Sequence, residues 1–384
     1  MHIAFLTPEF PNISSSSGGL GTSIKNLAAA LATSGVQVSV FIYGHSINKK
    51  YKKDGVSFHI IKQKHYSFFG WYLYRKHLQG YLNKFIKKDN IELIEAPDWT
   101  GITAFMSIHC PIVIRLNGSD GYFCHLEKRK QKLKNYWFEK SALSSAQSIV
   151  SVSKYTAEVT RDIFSLKVEI PVIPNSIDVN FFSPSNRIIR KGQILYFGTI
   201  IRKKGILELA HIFNEVVNQK PETKLLLLGK DVIDNLEKES TFKLFLQRLN
   251  PEARNKLEYI PEVSYKEVKK YIETSEVIVL PSFAEALPMT WIEAMALEKP
   301  MVTSNIGWAK EVMISGKTGY AENPEDHLAY AEKIIKLLNN PINGMEMGIA
   351  AREKVIKDFS TEIVVKRNLK FYSDFLRDNN QIFN

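Results

Sequence analysis

Short apolar runs alternate with amphipathic stretches along this chain, and the alternation starts twice. His2 to Thr7 is the first run; Ile91 to Glu95, Pro111 to Leu116 and Ser148 to Val152 follow. A second series opens at Ile194 to Phe197 and continues through Lys224 to Leu228, Leu257 to Ile260, Val277 to Leu280 and Pro300 to Ser304. Runs of this length without polar alternation suit strands buried on both faces. Between them the spacing turns helical: Ile24, Leu27, Ala28, Leu31 and Ala32 form one stripe, and Val36, Val38, Val40 and Ile42 then alternate as the next strand. Strand, helix and strand in succession make a βαβ unit, whose ligand site lies beyond the carboxyl ends of the strands. Two such series predict an α/β protein of two similar halves with a cleft between them. A length of 384 residues also exceeds what one small core organises. The segment Glu169 to Asp178 and the loose stretch up to Lys191 separate the series. The expected domains are 1–182 and 183–360, and the amphipathic helix from Thr361 has no strand after it and must pack elsewhere.

The stretch from Ser282 to Ala296 carries the densest chemistry. It follows the strand that Pro281 closes, and it holds Glu285 and Glu293 in the pattern E-x7-E. Pro288 stands where a first helical turn tolerates proline, and Met289 to Leu297 are good helix formers. Glu285 is therefore expected on the strand-to-helix loop and Glu293 more than a turn inside the helix. Amides around Ala286 and Leu287 point into the same space, where a helix start favours an anion. Two carboxylates beside an anion site suit a ligand with both phosphate and hydroxyls, such as a nucleotide sugar. In the first half, Gly18, Gly19 and Gly21 permit close backbone approach, or simply form a flexible surface loop. That loop is serine-rich and lacks the dinucleotide-binding spacing.

Charge narrows the partners. Lys and Arg number 51 against 40 Asp and Glu, a surplus of 11. Such a surplus serves nucleic acid, an anionic membrane or an anionic small substrate. No nucleic-acid recognition motif accompanies it, so nucleic acid is not expected. Tyr66 to Lys88 interleaves aromatic and basic residues, which reads first as a helix docked on its own sheet and second as a membrane or acceptor surface. Cys110 and Cys124 stand in no metal or redox spacing, which favours a reducing compartment. Pro8 and Glu9 come too early for a signal peptide, and no apolar run nears the roughly 20 residues of a membrane span. A cytoplasmic protein is expected, with the inner face of an anionic membrane as a place of contact.

Laid out together, these residues resemble the family 4 (group 1) retaining glycosyltransferases of GT-B fold. The resemblance covers nearly the whole length and is strongest from Ile194 to Gly319. It rests on Glu285 and Glu293, on Ala294 to Ala296, on Pro300 to Val302, and on the polar turn from Ser304 to Glu311. Gly316 to Gly319, the Gly18-Gly19 pair, Asn175 to Asp178 and Lys204-Gly205 also fall in family order. The resemblance implies two Rossmann-like domains, donor on the C-terminal one and acceptor on the N-terminal one, with the last helix crossing back to the N-terminal domain. Glu285 would hold hydroxyls of the donor sugar and Glu293 those of the ribose. Ala286 and Leu287 would offer backbone N–H groups, while Arg202 and Lys204 would clamp the diphosphate. Gly18 and Gly19 would let their loop approach that diphosphate. The implied donor is a nucleotide-diphosphate sugar, and the implied acceptor is a hydroxyl of a glycan, a lipid-linked glycan or a small molecule.

No Asp-x-Asp metal motif is present, so no metal or other cofactor is expected and the departing diphosphate must be met by Arg202, Lys204 and the helix start. Retention is expected through same-face attack, with the leaving phosphate taking the acceptor's proton. Two departures from the family stand out. Thr199 occupies the place of a usual arginine, a gap that Arg202 or Lys203 would fill, and Asn117 occupies the place of a frequent histidine. Asparagine donates to a hydroxyl but shuttles no proton at neutral pH. Asp98, Asp120 and His125 are read first as structural. The rival readings are a sugar-nucleotide epimerase or hydrolase of the same fold and a non-catalytic sugar-nucleotide-binding protein.

Overall fold

A computed structural model describes residues 1–11, 13, 14 and 18–382. Ser15 to Ser17, the serine-rich part of the glycine loop, lie outside the described residues. The chain forms two compact units, one of residues 1–176 joined by the segment from Ser360 onward, the other of Ile177–Phe359. The division falls at Ser176, where the sequence placed it after residue 182.

Among the described residues, the first unit holds seven strands: β1 (His2–Thr7), β2 (Gln37–His45), β3 (Lys49–Lys53), β4 (Val56–Lys62), β5 (Leu93–Pro97), β6 (Ile112–Leu116) and β7 (Ser148–Ser151). They lie in the order β3-β4-β2-β1-β5-β6-β7, parallel throughout except for the β3–β4 hairpin. Residues of β1 are buried alternately on opposite faces, as strand geometry requires. Ile3 and Phe5 join the layer of helix Gly19–Thr33, and Ala4 and Leu6 join that of helix Gly70–Asp89. That second helix buries Tyr74, Leu78, Leu82 and Phe85 on the sheet, so the aromatic-basic stretch is a docked helix over most of its length.

The helix Thr361–Ile382 belongs to this unit and packs Val364, Val365 and Tyr372 against Ile24 and Leu27. A buried ion pair fixes it further. Arg115 on β6 grips both oxygens of Glu95 on β5, at 2.7 and 2.9 Å. Tyr372 donates to Glu95 at 2.7 Å, and Arg115 donates to Asn368 at 2.6 Å. Such a pair is tolerated in a core when its remaining donors and acceptors are met in this way.

The second unit holds β8 (Arg190–Phe197), β9 (Lys224–Leu228), β10 (Leu257–Ile260), β11 (Ser275–Leu280), β12 (Met301–Ser304) and β13 (Tyr320–Glu322). All are parallel, in the order β10-β9-β8-β11-β12-β13. Chain order runs outward from β8 to β10 and returns on the other side of β8 at β11. The reversal therefore lies between β8 and β11, where open α/β sheets bind ligands.

Candidate functional site

Two loops leave the sheet at this reversal. After β8 the chain makes a single 3-10 turn, Arg202–Lys204, and after β11 it runs from Pro281 to the helix Met289–Ala296, which Pro288 caps. The loops are tied by backbone: the Lys203 carbonyl accepts the N–H groups of Phe283 at 2.8 Å and Ala284 at 3.2 Å. Gly205 makes this approach possible. Its φ is +70°, and a Cβ there would overlap the Pro281 carbonyl oxygen.

The junction brings Lys204 and Glu285 together. Lys204 Nζ lies 3.2 Å from Glu285 Oε1, and Ser282 Oγ donates to the same oxygen at 3.1 Å. Both side chains keep some access to solvent, 20% and 12% exposed. Ala286 and Leu287 are buried and follow Glu285 directly, ahead of the helix start.

Glu293 sits one turn into that helix and is buried. Burial pushes its carboxyl up to about 7, against the opposing pull of the Tyr265 hydroxyl and the Lys204 charge. Tyr265 Oη donates to Glu293 Oε1 at 2.7 Å. Burial, with the Glu293 charge and the hydrogen bond to it, holds the Tyr265 proton well above its ordinary range, so this hydroxyl remains a donor. Phe181 stacks on the Tyr265 ring and Phe182 meets it edge-on, which fixes its direction.

Arg202 is differently engaged from the diphosphate clamp expected of it. Its guanidinium bonds both oxygens of Asp234, at 2.8 and 3.2 Å, and one of Glu237 at 2.6 Å. Asp234 is only 2% exposed, so the pair anchors the 202–204 turn to the segment after β9. Thr199, in the place of the family arginine, accepts the Tyr196 hydroxyl on its carbonyl at 2.8 Å.

The remaining positions belong to the first unit. Gly18 caps the helix Gly19–Thr33, so Gly19 to Thr22 form its first turn and not a loop. Glu9 occupies the amides of that turn, accepting from Gly18 at 3.1 Å and Gly21 at 2.8 Å. A Cβ on Gly19 would meet nothing within 4 Å. Asn117 directly follows β6, its N–H held at 3.0 Å by Asp98, which also accepts from Gly118 at 3.2 Å. Burial pushes the Asp98 carboxyl up to about 7. Asp120 is likewise tied down, by Arg129 and Asn135.

The second unit thus joins Lys204, Glu285 and Glu293 and sets Arg202 aside among carboxylates. Sequence reasoning missed Ser282, Tyr265, Asp234 and Glu9. Ser282 lies three residues before Glu285 and carried a local signal. Tyr265 and Asp234 act across the fold, 28 and 32 positions from the residues they bond, and no local signal pointed to them.

Comparison with known proteins places this architecture. Residues 180–354 match the family profile "Glycosyl transferases group 1", and residues 17–181 match "Glycosyltransferase Family 4". A capsular polysaccharide biosynthesis glycosyltransferase, CapM of Staphylococcus aureus, is 31% identical over 183 residues, 48% of this chain and 46% of that protein. Glycogen synthase of Mycobacterium tuberculosis is 26% identical over 211 residues, 53% of this chain and 48% of that one. The chain spans about half the length of these curated relatives. Among solved structures, sucrose-phosphate synthase from Thermosynechococcus elongatus superposes with a TM-score of 0.80 at 18% identity, over 98% of this chain and 99% of that one. HepE of Anabaena in complex with UDP gives 0.76 at 16% identity, over 97% and 100%. With both family profiles matched in succession and the GT-B fold shared along the whole chain, this protein belongs to the family 4 (group 1) glycosyltransferases.

Proposed function

We propose that this glycosyltransferase moves a sugar from a nucleotide-diphosphate sugar to a hydroxyl of a glycan, lipid-linked or small-molecule acceptor, with retention of configuration and without a metal. The observation that carries the donor side is the meeting of Lys204 and Glu285 at the strand reversal of the second unit. As the sugar–phosphate bond breaks, negative charge grows on the departing diphosphate. A fixed ammonium aimed at that charge lowers the barrier more than it stabilises the bound donor. Lys204 has this role, with the backbone N–H groups of Ala286 and Leu287 beside it. Glu285 turns from Lys204 to the sugar hydroxyls when a donor enters. Glu293, with one oxygen on Tyr265, offers its carboxylate to the ribose. Arg202 acts as a positioning residue through the turn that carries Lys204. On the first unit, Gly18, Gly19 and Asn117 are kept as ligand-contacting positions.

Polysaccharide or glycoconjugate synthesis is the proposed setting, in line with the likeness to CapM. Among the described residues no helix is long and apolar enough to cross a membrane. Peripheral contact is supported by Phe68, Phe69, Leu133 and Trp137, which are 80, 72, 77 and 60% exposed, and by the exposed Lys130, Lys132 and Lys134 next to Leu133 in the chain. Binding to anionic vesicles at low salt tests it, and its absence there would remove the membrane from the proposal.

The donor reading is tested by a thermal-shift screen of nucleoside diphosphates and nucleotide sugars, since a ligand bound only by the native state raises its stability. Product anomers resolved by NMR, with and without EDTA, then test retention and metal independence. Inversion, or loss of activity in EDTA, would overturn those parts.

A further inference from the structure

The first unit contains a cavity of about 450 Å³ that none of the residues assigned so far lines. Pro8 just beyond β1 and Thr100 just beyond β5 form part of its wall. These two strands flank the strand reversal of the first sheet, between β1 and β5. Trp71, Arg75 and Lys134 complete it from two helices.

Arg75 is the unusual member. It is 7% exposed, and every group it bonds is neutral: Nη1 donates to the Trp71 carbonyl at 3.0 Å, and Nη2 to those of Thr100 and Gly101 at 3.2 Å. Nε is buried with no hydrogen-bond partner. Its face lies 4.4 Å from the Phe138 ring centre. Among the described residues no carboxylate forms an ion pair with it, and burial lowers its proton affinity. A buried charge is costly unless something of opposite sign pairs with it. Lys134 adds a second cation, its Nζ 5.7 Å from the Trp71 ring centre and 5.6 Å from that of Phe138. Trp71 itself is 37% exposed and offers an indole surface to a flat, partly apolar ligand.

We propose that this cavity is the acceptor subsite and takes a sugar bearing a phosphate or carboxylate, with Trp71 against the sugar ring and Arg75 and Lys134 attracting the acid group. The assignment rests on the glycosyltransferase reading above and adds the class of acceptor to it. The donor's own phosphates have their cation, Lys204, on the other unit, so the excess charge here is left for a second substrate. A dissolved sugar phosphate and a lipid-borne one present the same group.

Calorimetric titration of the full chain with glucose 1-phosphate, glucuronate and glucose tests this. The two charged sugars are expected to bind at least about 10-fold more tightly than glucose, as a charge-assisted contact allows. Lys134→Gln, at an exposed position, should remove most of that difference, and Trp71→Ala should weaken all three sugars. Equal affinity for glucose and the charged sugars, or no change in both variants, overturns the proposal. Binding of dissolved glucose 1-phosphate assigns a free acceptor. Binding only to vesicles that display a polyprenyl-phosphate sugar, lost in Lys134→Gln, assigns a lipid-borne one. Equal binding to phosphatidylglycerol vesicles without sugar counts against a subsite. Nucleoside diphosphates titrated into the same proteins read the donor side separately. If they bind while the sugars show no charge preference, only the subsite fails; if they do not bind the wild-type chain, the reading beneath it fails.

Discussion

Lys204 Nζ stands 3.2 Å from Glu285 Oε1, and the two side chains come from loops on either side of the strand reversal in the second unit. On the proposed reading, one ion pair thus joins the cation that would meet a diphosphate to the carboxylate that would hold sugar hydroxyls. Their mutual attraction keeps both side chains ordered, and neither is so buried that a ligand could not part them.

On the proposed reading, Lys204→Ala removes the cation that would meet the leaving group. A charge-assisted hydrogen bond contributes roughly 1.5–3 kcal/mol, so transfer should fall by about 10- to 100-fold. Steady-state kinetics with a saturating acceptor measures this, and kcat should fall together with kcat/KM because the contact strengthens as charge develops.

Arg202→Ala should behave differently. Its partner Asp234 is almost wholly buried, and losing the guanidinium leaves that carboxylate with no paired cation, only the backbone N–H groups of Leu236 and Glu237. With Arg202 itself about one-third exposed, a stability loss on the order of 1–3 kcal/mol is expected after allowing for solvent screening. Denaturant unfolding should register this loss, while Lys204→Ala leaves stability closer to wild type. An Arg202→Ala protein of unchanged stability but strongly reduced turnover would return Arg202 to the diphosphate.

Glu293 gives a pH signature. Its carboxyl is raised from 4.5 to about 7, so between those values the folded chain binds more protons than the unfolded one. Stability contributed at this site therefore falls as pH rises from 4.5 to 7 and levels off above. Asp98 acts in the same direction, so the wild-type curve contains both. Subtracting the pH dependence of a Glu293→Gln protein isolates one of them, and that variant should show the shallower decline.

Two glycines should separate structure from ligand contact. Gly205→Ala puts a side chain at φ +70° and into the Pro281 carbonyl, so both stability and activity should drop. Gly19→Ala meets nothing within 4 Å, so its melting temperature should be unchanged or higher. A fall in kcat/KM at Gly19→Ala without loss of stability would mark close ligand approach there.

Much of this was legible in the chain. The buried strands announced themselves by apolar runs, and the spacing of Glu285 and Glu293 placed one on a loop and the other inside a helix, as found. The hairpin of β3 and β4 was overlooked. Lys49 to Lys53 carries four lysines and only Tyr51 as an apolar residue, because an edge strand needs no buried face. Asp54 and Gly55, both at positive φ, were the available turn signal. The partners of the site residues were not legible at all. Tyr265 reaches Glu293 across 28 positions and Asp234 reaches Arg202 across 32, and no local periodicity encodes such contacts. Nor could the sequence reveal that Arg75, one basic residue among many near Trp71, would be buried without a counter-charge.

The most direct measurement compares two ligands on two variants by calorimetry: a nucleoside diphosphate and the matching nucleotide sugar, on Lys204→Ala and Glu285→Gln. Lys204→Ala should weaken both ligands, because both carry the diphosphate. Glu285→Gln should weaken the nucleotide sugar while leaving the nucleoside diphosphate within about 2-fold of wild type, since only the former brings the sugar hydroxyls proposed for Glu285. Equal weakening of both ligands by Glu285→Gln, or of neither, would contradict the division of labour between these two side chains.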